Sequence, residues 1–494
     1  MDPNNPMKFK LEKLLLPFVF LLSLGFRLFY EYKIPFFSSD DAYFSLRHSE
    51  YIVSNFVPLV YDPLSYGGNV ILNTNVFNYF IAVWDLFLSQ GFAYKVIPAI
   101  FASSIIFIVY LLAKDITKNK KTALFAAILA AFIPIFIKNT LNQISILSLS
   151  VPLFFLLIYT FLDIKNRKGL FMFLSFVYIM IEPLNLLMLF TLVIFAIIMI
   201  AESMSLKTEI KEAIGMHMVL FVLVNLIFFK NIYLDIGLAT VWGNFPIELY
   251  GSLFQNFNVF ETVSIIGFIP LLLGVTGMIL APRRNTAINI VSAIILSSFT
   301  LLLLKLIAFE YGLIILAVVF CITSAISINW FIDYLNLTKI SKYTSYIVWG
   351  LILIRLVSLI VPSISNAEVV INEGVSQGEV DVLTWASIYA EEDSVILGNV
   401  YEGNLIAYIA NRANVIDTQF FYAEDRLLDV EKIYTTESLI NAGTVLNKYS
   451  VDYLYFSEKS KEMFDVEELV YINDETCFEL MFENEEASIY KVLC

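Results

Sequence analysis

Two sets of residues in this 494-residue chain have the types and spacing for chemistry. The first lies in Ser38–Gly68, SSDDAYFSLRHSEYIVSNFVPLVYDPLSYGG, the only long polar segment in the first third of the sequence. It carries adjacent carboxylates (Asp40, Asp41), a cationic pair (Arg47, His48), a third carboxylate (Glu50) and a tyrosine-rich turn closing on Gly67 and Gly68. A carboxylate just outside the end of a membrane helix can act as a general base on an acceptor hydroxyl or amide, or hold a divalent cation. A hydrated loop with no chemistry would read the same way. The second is Arg355, inside the apolar run LILIRLVSLIVP. An arginine in such a run costs about 3 kcal/mol or more, so it is expected to face an aqueous cavity or an anion unless it snorkels to the interface. Glu182, beside Pro183, and Glu248 are further acidic candidates, with a helix turn and a solvated loop as their plain alternatives.

The elements that must position these residues are set by composition. Hydrophobic residues make up 59% of the chain and charged residues 15%, against about 25% charged in an ordinary soluble domain. This is a polytopic membrane protein. Leu11 to Tyr30 is apolar and preceded by Lys8 and Lys10; its length, its Arg27 and the lack of a small-x-small cleavage site favour a retained first helix over a secretory signal. Further spans are expected at 95–113, 122–137, 144–162, 170–182, 184–201, 214–229, 261–281, 286–304, 312–331 and 344–362, about eleven helices in all. With the N-terminus cytoplasmic, lysine and arginine fall in alternate loops: Lys114–Lys121, Asp163–Lys168, Lys207 with Lys211, Arg283 with Arg284, and Lys339 with Lys342. The expected location is therefore the cell membrane, with Ser38–Gly68 and the C-terminal region extracytoplasmic.

The expected domains are a membrane domain, 1–362, with a long first external loop, 31–94, and an acidic extracytoplasmic α/β domain, 363–494. The second holds 26 acidic and 7 basic residues. Helices are predicted at Val380–Ala390, Gly403–Ile409 and Glu437–Lys448. Strands are predicted at Ser394–Leu397, Asn414–Ile416, Val451–Phe456, Glu468–Ile472, Phe478–Glu483 and Ala487–Val492. A formal charge of -14 argues against a nucleic-acid partner. Of three cysteines, Cys321 lies in an apolar run, which leaves Cys477 and Cys494 as possible disulfide partners. No HExxH, CxxC pair, GxSxG elbow, phosphate-binding P-loop or dinucleotide fingerprint occurs, and the two histidines, His48 and His217, do not suffice for a histidine-based zinc site.

DDAYFSLRHSEYI followed by PLVYDPLSYGG resembles the first external loop of the catalytic subunit of archaeal and bacterial oligosaccharyltransferases. RLVSLIVP, residues 355–362, resembles that family's last membrane helix, and residues 385–417 are similar in order and spacing to the start of its external domain. KYSVDYLYFSE and the final hairpin resemble later parts of that domain. The resemblance implies a GT-C membrane glycosyltransferase that takes a sugar or oligosaccharide from a polyprenyl phosphate or pyrophosphate donor. It implies Asp41 as base or acceptor-orienting group, Asp40 as its assistant or a cation ligand, and Arg355 as the contact to the leaving phosphate. Arg47 and His48 would be secondary phosphate contacts, with Glu248, Tyr401 and Glu402 as further substrate contacts. The length of Asn231–Phe260 and its Gly-Asn-Phe-Pro turn lead to the expectation that it closes over the donor. Mg2+ or Mn2+ would sit on Asp41 and Glu182.

Three departures stand out. Asn399-Val400-Tyr401-Glu402-Gly403 replaces the family's Trp-Trp-Asp acceptor motif. Lys138–Ser148, KNTLNQISILS, has no Asp or Glu where a second acidic motif would fall. Phe309-Glu310-Tyr311 carries a negative charge where an Arg-Phe pair is common. The expected partners are thus a polyprenyl-linked sugar, the lipid bilayer and an acceptor that is protein, lipid or glycan. The alternatives are a true asparagine oligosaccharyltransferase with a modified acceptor pocket and a non-catalytic membrane scaffold or lipid-binding relative.

Overall fold

The computed structural model describes residues 6–71, 76–89, 91–182, 185–235, 237, 259–282, 284–418 and 424–494. They form two compact units. One draws its described residues from 6–33, 91–235 and 259–372, the other from 34–89 and 373–494.

The first unit is a multi-pass membrane bundle with a helix at each position where the hydropathy predicts one. These are Pro6–Glu31, Phe92–Thr117, Lys120–Ala130, Leu147–Leu162, Ile164–Ile181, Leu187–Ala201, Thr208–Phe228, Phe268–Leu280, Thr286–Leu303, Phe309–Asn336 and Thr344–Asn372. Among the described residues, five are long and apolar enough to cross a membrane by themselves: Leu14–Glu31, Phe92–Thr117, Thr208–Phe228, Thr286–Leu303 and Phe309–Asn336. Two expected spans are interrupted for visible reasons. Pro134 lacks the N–H needed to continue a helix from 122 to 137, so the chain breaks after Ala130 and restarts as the short helix Pro134–Lys138. Gly267, at φ +96°, splits 261–281 into Val259–Ile266 and Phe268–Leu280.

Phe309–Asn336 is buried from Tyr311 to Ile328, and Phe268–Leu280 packs against it. A Cβ at Gly277 would lie 2.1 Å from the Thr323 carbonyl oxygen, so only glycine permits the approach. Thr276 and Ser327 hydroxyls hydrogen-bond across the seam at 2.9 Å. At the end of the first helix, Arg27 donates to Thr140 Oγ1 at 2.8 Å and Lys95 Nζ to the Glu31 carbonyl at 2.7 Å.

The second unit joins two stretches far apart in sequence. From the first come a helix, Asp40–Asn55, a small hairpin of β1 (Tyr61–Asp62) and β2 (Asn69–Val70), and a helix, Val76–Asp85. The polar segment expected as a loop is therefore half helix. Ala42, Tyr43, Phe44 and Leu46 bury its inner side, and Asp40 and Asp41 in its first turn match the positive end of the helix dipole. From the second stretch comes a five-stranded sheet of β3 (Val395–Leu397), β4 (Ala413–Asn414), β5 (Tyr453–Ser457), β6 (Phe478–Glu483) and β7 (Ala487–Val492), in the order β4-β3-β5-β7-β6. Here β3 pairs in parallel with β4 and β5, while β5, β7 and β6 are antiparallel.

The α/β expectation holds with local corrections. Residues 468–472 hold no strand but lead into a 3-10 turn, Val470–Asn473, and helices at Glu424–Thr435 and Glu458–Phe464 were not expected. The helix at 344 runs on to Asn372, past 363. Cys477 and Cys494 are joined in a disulfide that ties the start of β6 to the residue stretch after β7.

Candidate functional site

Helix N-termini leave their first N–H groups without partners, and the one starting at Gly403 has no cap from its own neighbour Glu402. Asp40 supplies it from 364 residues away. Its Oδ2 accepts from Asn404 Nδ2 at 2.7 Å and from Asn404 N at 3.3 Å, and its Oδ1 accepts from Leu405 N at 2.9 Å. Burial pushes the Asp40 carboxyl up to about 8, against the pull of the Asn404 and Leu405 donors. These groups meet beyond the carboxyl ends of the parallel strands β3 and β4.

Asp41, the next residue, is exposed. Its Oδ1 accepts from the Thr418 hydroxyl, and Thr418 Oγ1 in turn accepts from Asn404 Nδ2 at 3.2 Å. Asp417, 1% exposed, accepts from Ser65 Oγ at 2.6 Å and Asn414 Nδ2 at 3.3 Å. Two bonds from backbone N–H groups complete the seam: Asn414 N donates to Leu64 O at 2.8 Å and Tyr66 N to the Asn414 side-chain Oδ1 at 2.9 Å. Tyr66, Gly67 and Gly68 take positive φ in turn, which explains the glycines after the tyrosine. Asn404, Asp417 and Thr418 carry no motif, and sequence reasoning missed them; only the parallel pairing of β3 with β4 brings them to Asp40 and Asp41.

The other candidates are distributed differently. Arg47 is ion-paired with Asp62, which is 1% exposed, so its guanidinium is engaged inside the unit. His48 is buried and stacked on Phe44 at 3.9 Å between ring centroids; burial and the Arg47 charge push it down to about 3, which leaves the imidazole neutral at physiological pH. Glu50 accepts from the Tyr408 hydroxyl at 2.9 Å.

Tyr401 is exposed, but Glu402 is fully buried, accepting from Ser457 Oγ, from Ser460 Oγ at 3.3 Å and from Asn399 N at 3.2 Å. The Glu402 carboxylate therefore holds β3 to the β5–helix turn from within, where a substrate has no access. Burial raises it to about 7.

In the membrane unit, Glu182 caps Ile164–Ile181, near the Tyr178 and Tyr311 hydroxyls, which hydrogen-bond at 3.1 Å. Arg355 lies within Thr344–Asn372, but its side chain, like Glu248 and most of Asn231–Phe260, falls outside the described residues. The acid-free segment 138–148 has a carboxylate beside it after all: Glu31, 2% exposed, accepts from Asn142 N at 3.4 Å.

Asp40 is unsuited to hold an Mg2+ or Mn2+ ion. Both Asp40 oxygens face N–H donors, which repel a cation, and among the described residues no three His, Cys, Asp or Glu side chains converge as a ligand set.

No protein-family model matches the sequence, and no curated protein matches it. Solved structures do. The archaeal oligosaccharyltransferase AglB from Archaeoglobus fulgidus, in complex with an inhibitory peptide and a dolichol-phosphate, superposes with a TM-score of 0.69 at 14% identity, over 92% of this chain and 70% of that one. The apo form of the Archaeoglobus fulgidus oligosaccharyltransferase gives 0.67 at 14% identity, over 97% and 74%. ArnT from Cupriavidus metallidurans bound to undecaprenyl phosphate gives 0.57 at 11% identity, over 98% and 97%. At such identities the likeness is one of fold, and the chain has the fold of the GT-C membrane glycosyltransferases.

Proposed function

We propose that this chain is a GT-C type glycosyltransferase that moves a sugar or oligosaccharide from a polyprenyl phosphate or pyrophosphate donor to an acceptor on the extracytoplasmic face. The observation that carries it is the likeness, over more than nine-tenths of the chain, to two enzymes whose structures hold a dolichol-phosphate or undecaprenyl phosphate. Asp41 is the acceptor-side group. It is exposed, sits at the positive end of a helix and has an ionisable oxygen fixed by Thr418, which suits a base that takes or orients an acceptor proton. Arg355 is the donor-side group, stabilising charge as it develops on the leaving phosphate. The disulfide Cys477–Cys494 agrees with an oxidising, extracytoplasmic compartment for the sheet unit.

The higher superposition on AglB than on ArnT favours asparagine as a second reading for the acceptor. Against it, the segment aligned with the acceptor motif presents Tyr401 but buries Glu402.

One experiment addresses both. Membranes from source cells lacking the gene are supplied with the full chain or with Asp41→Asn, and lipid-linked sugars and products are followed by mass spectrometry, with and without a sequon peptide. The full chain is expected to consume one lipid-linked species, and Asp41→Asn to slow this by about 10²–10⁴-fold. Unchanged consumption by Asp41→Asn would overturn the catalytic assignment; glycopeptide formation would establish the asparagine reading.

A further inference from the structure

We propose that Thr418 is the positioning residue for Asp41: its hydroxyl anchors one carboxylate oxygen and so aims the other at the acceptor. The inference rests on Asp41 being the acceptor-side group, and it adds a residue from the far end of the chain that no motif marks.

The hydrogen-bond directions follow from chemistry alone. An ionised carboxylate has no hydrogen to give, so Thr418 must donate to Asp41 Oδ1. That commits the one hydroxyl hydrogen, so in the 3.2 Å contact with Asn404 Nδ2 the Thr418 oxygen is the acceptor. The same Nδ2 gives its other hydrogen to Asp40 Oδ2 at 2.7 Å. One amide therefore branches to both adjacent acids, directly to Asp40 and through Thr418 to Asp41. Among the described residues, Asp41 Oδ2 makes no hydrogen bond.

The anchor is rigid. Asn404 is fully buried, and its backbone is fixed because Gly403 packs on residues 416 and 417 so closely that a Cβ there would meet Ile416 O at 1.9 Å. Asp41 itself is exposed on the first turn of a helix, where a short acidic side chain otherwise samples several rotamers. Reacting groups displaced by about 1 Å lose on the order of 10²-fold in rate, so holding this carboxylate bears on turnover rather than on donor binding. The neighbouring acids, Asp40 on the same helix and Asp417 after β4, are each held by their own donors, so neither needs Thr418.

The test uses the full chain with a lipid-linked sugar fraction from the source membranes, comparing Thr418→Val with Thr418→Ser. Thr418→Val is nearly isosteric but has no donor. It is expected to lower kcat about 10- to 100-fold with KM for the donor changed less than about twofold, while the Asn404 hydrogen left without its acceptor lowers the thermal midpoint by only a few degrees. Thr418→Ser keeps the donor and is expected to return kcat to within about threefold of the parent. Equal slowing by both variants, or a normal kcat for Thr418→Val in a chain whose Asp41→Asn form is inactive, overturns the positioning role while leaving Asp41 in place. Full activity of Asp41→Asn overturns both. Should Thr418→Val fail to fold, Thr418→Ala, which only removes atoms, carries the same expectation.

Discussion

Removing the Asp40 carboxylate tests whether residues 34–71 are clamped to the sheet by a borrowed helix cap. Asp40→Ala leaves the N–H groups of Asn404 and Leu405 and the Asn404 amide facing a space without an acceptor. Each unsatisfied buried donor costs about 1–3 kcal/mol, and water entering the vacated space recovers part of it, so the expected loss is about 3–5 kcal/mol. For a unit of this size that is a fall of about 6–20 °C in thermal midpoint.

Asp40→Asn separates charge from shape. With the native carboxyl raised to about 8 and the unfolded one near 3.8, the folded chain holds a proton that the unfolded chain has lost between those values. Asp40 therefore contributes stability at the acid end that is lost as pH rises toward about 8, at up to about 1.4 kcal/mol per pH unit. Asp40→Asn, which mimics the protonated form, is expected to flatten that slope. The assays are calorimetry of the full chain in detergent from pH 5 to 8.5 and limited proteolysis of residues 34–71. A midpoint within about 1 °C for Asp40→Ala, with unchanged cleavage, would refute the clamp.

Two further outcomes follow from neighbouring contacts. Arg47→Met strips the cation from an Asp62 that is 1% exposed and is expected to cost about 3–5 kcal/mol in thermal or denaturant unfolding; a variant as stable as the parent but weaker for donor would instead support a phosphate contact. Gly403→Ala places a Cβ 1.9 Å from Ile416 O and is expected to destabilise the sheet unit by about 2 kcal/mol or more, with loss of the folded fraction in size-exclusion profiles as the readout.

The places where the fold departs from a local reading share one cause. Asp40–Asn55 reads as a polar loop because its apolar residues are few, and the helix is fixed by burial of Tyr43, Phe44 and Leu46 within the unit. Arg47, His48 and Glu402 read as site residues because polar groups in an apolar chain invite chemistry. The fold instead gives Arg47 to Asp62, buries His48 against Phe44 and buries Glu402 among Ser457, Ser460 and Asn399. The segment 138–148, which has no acid of its own, lies beside Glu31, more than a hundred residues earlier.

What the sequence determined by itself is what depends on neighbours along the chain. An apolar run of sufficient length must be a buried helix in lipid, and alternation with turn residues marks strands, so the membrane helices and the α/β tail were legible. Which of the two acids stays available was a tertiary decision. Parallel pairing of β3 with β4 carries Gly403–Leu405 and Asp417–Thr418 to one place, where Asp40 is consumed as a helix cap and Asp41 is left exposed with one oxygen held. Nothing local distinguishes two adjacent aspartates; their donors lie more than 360 residues away, and only the fold assigns them.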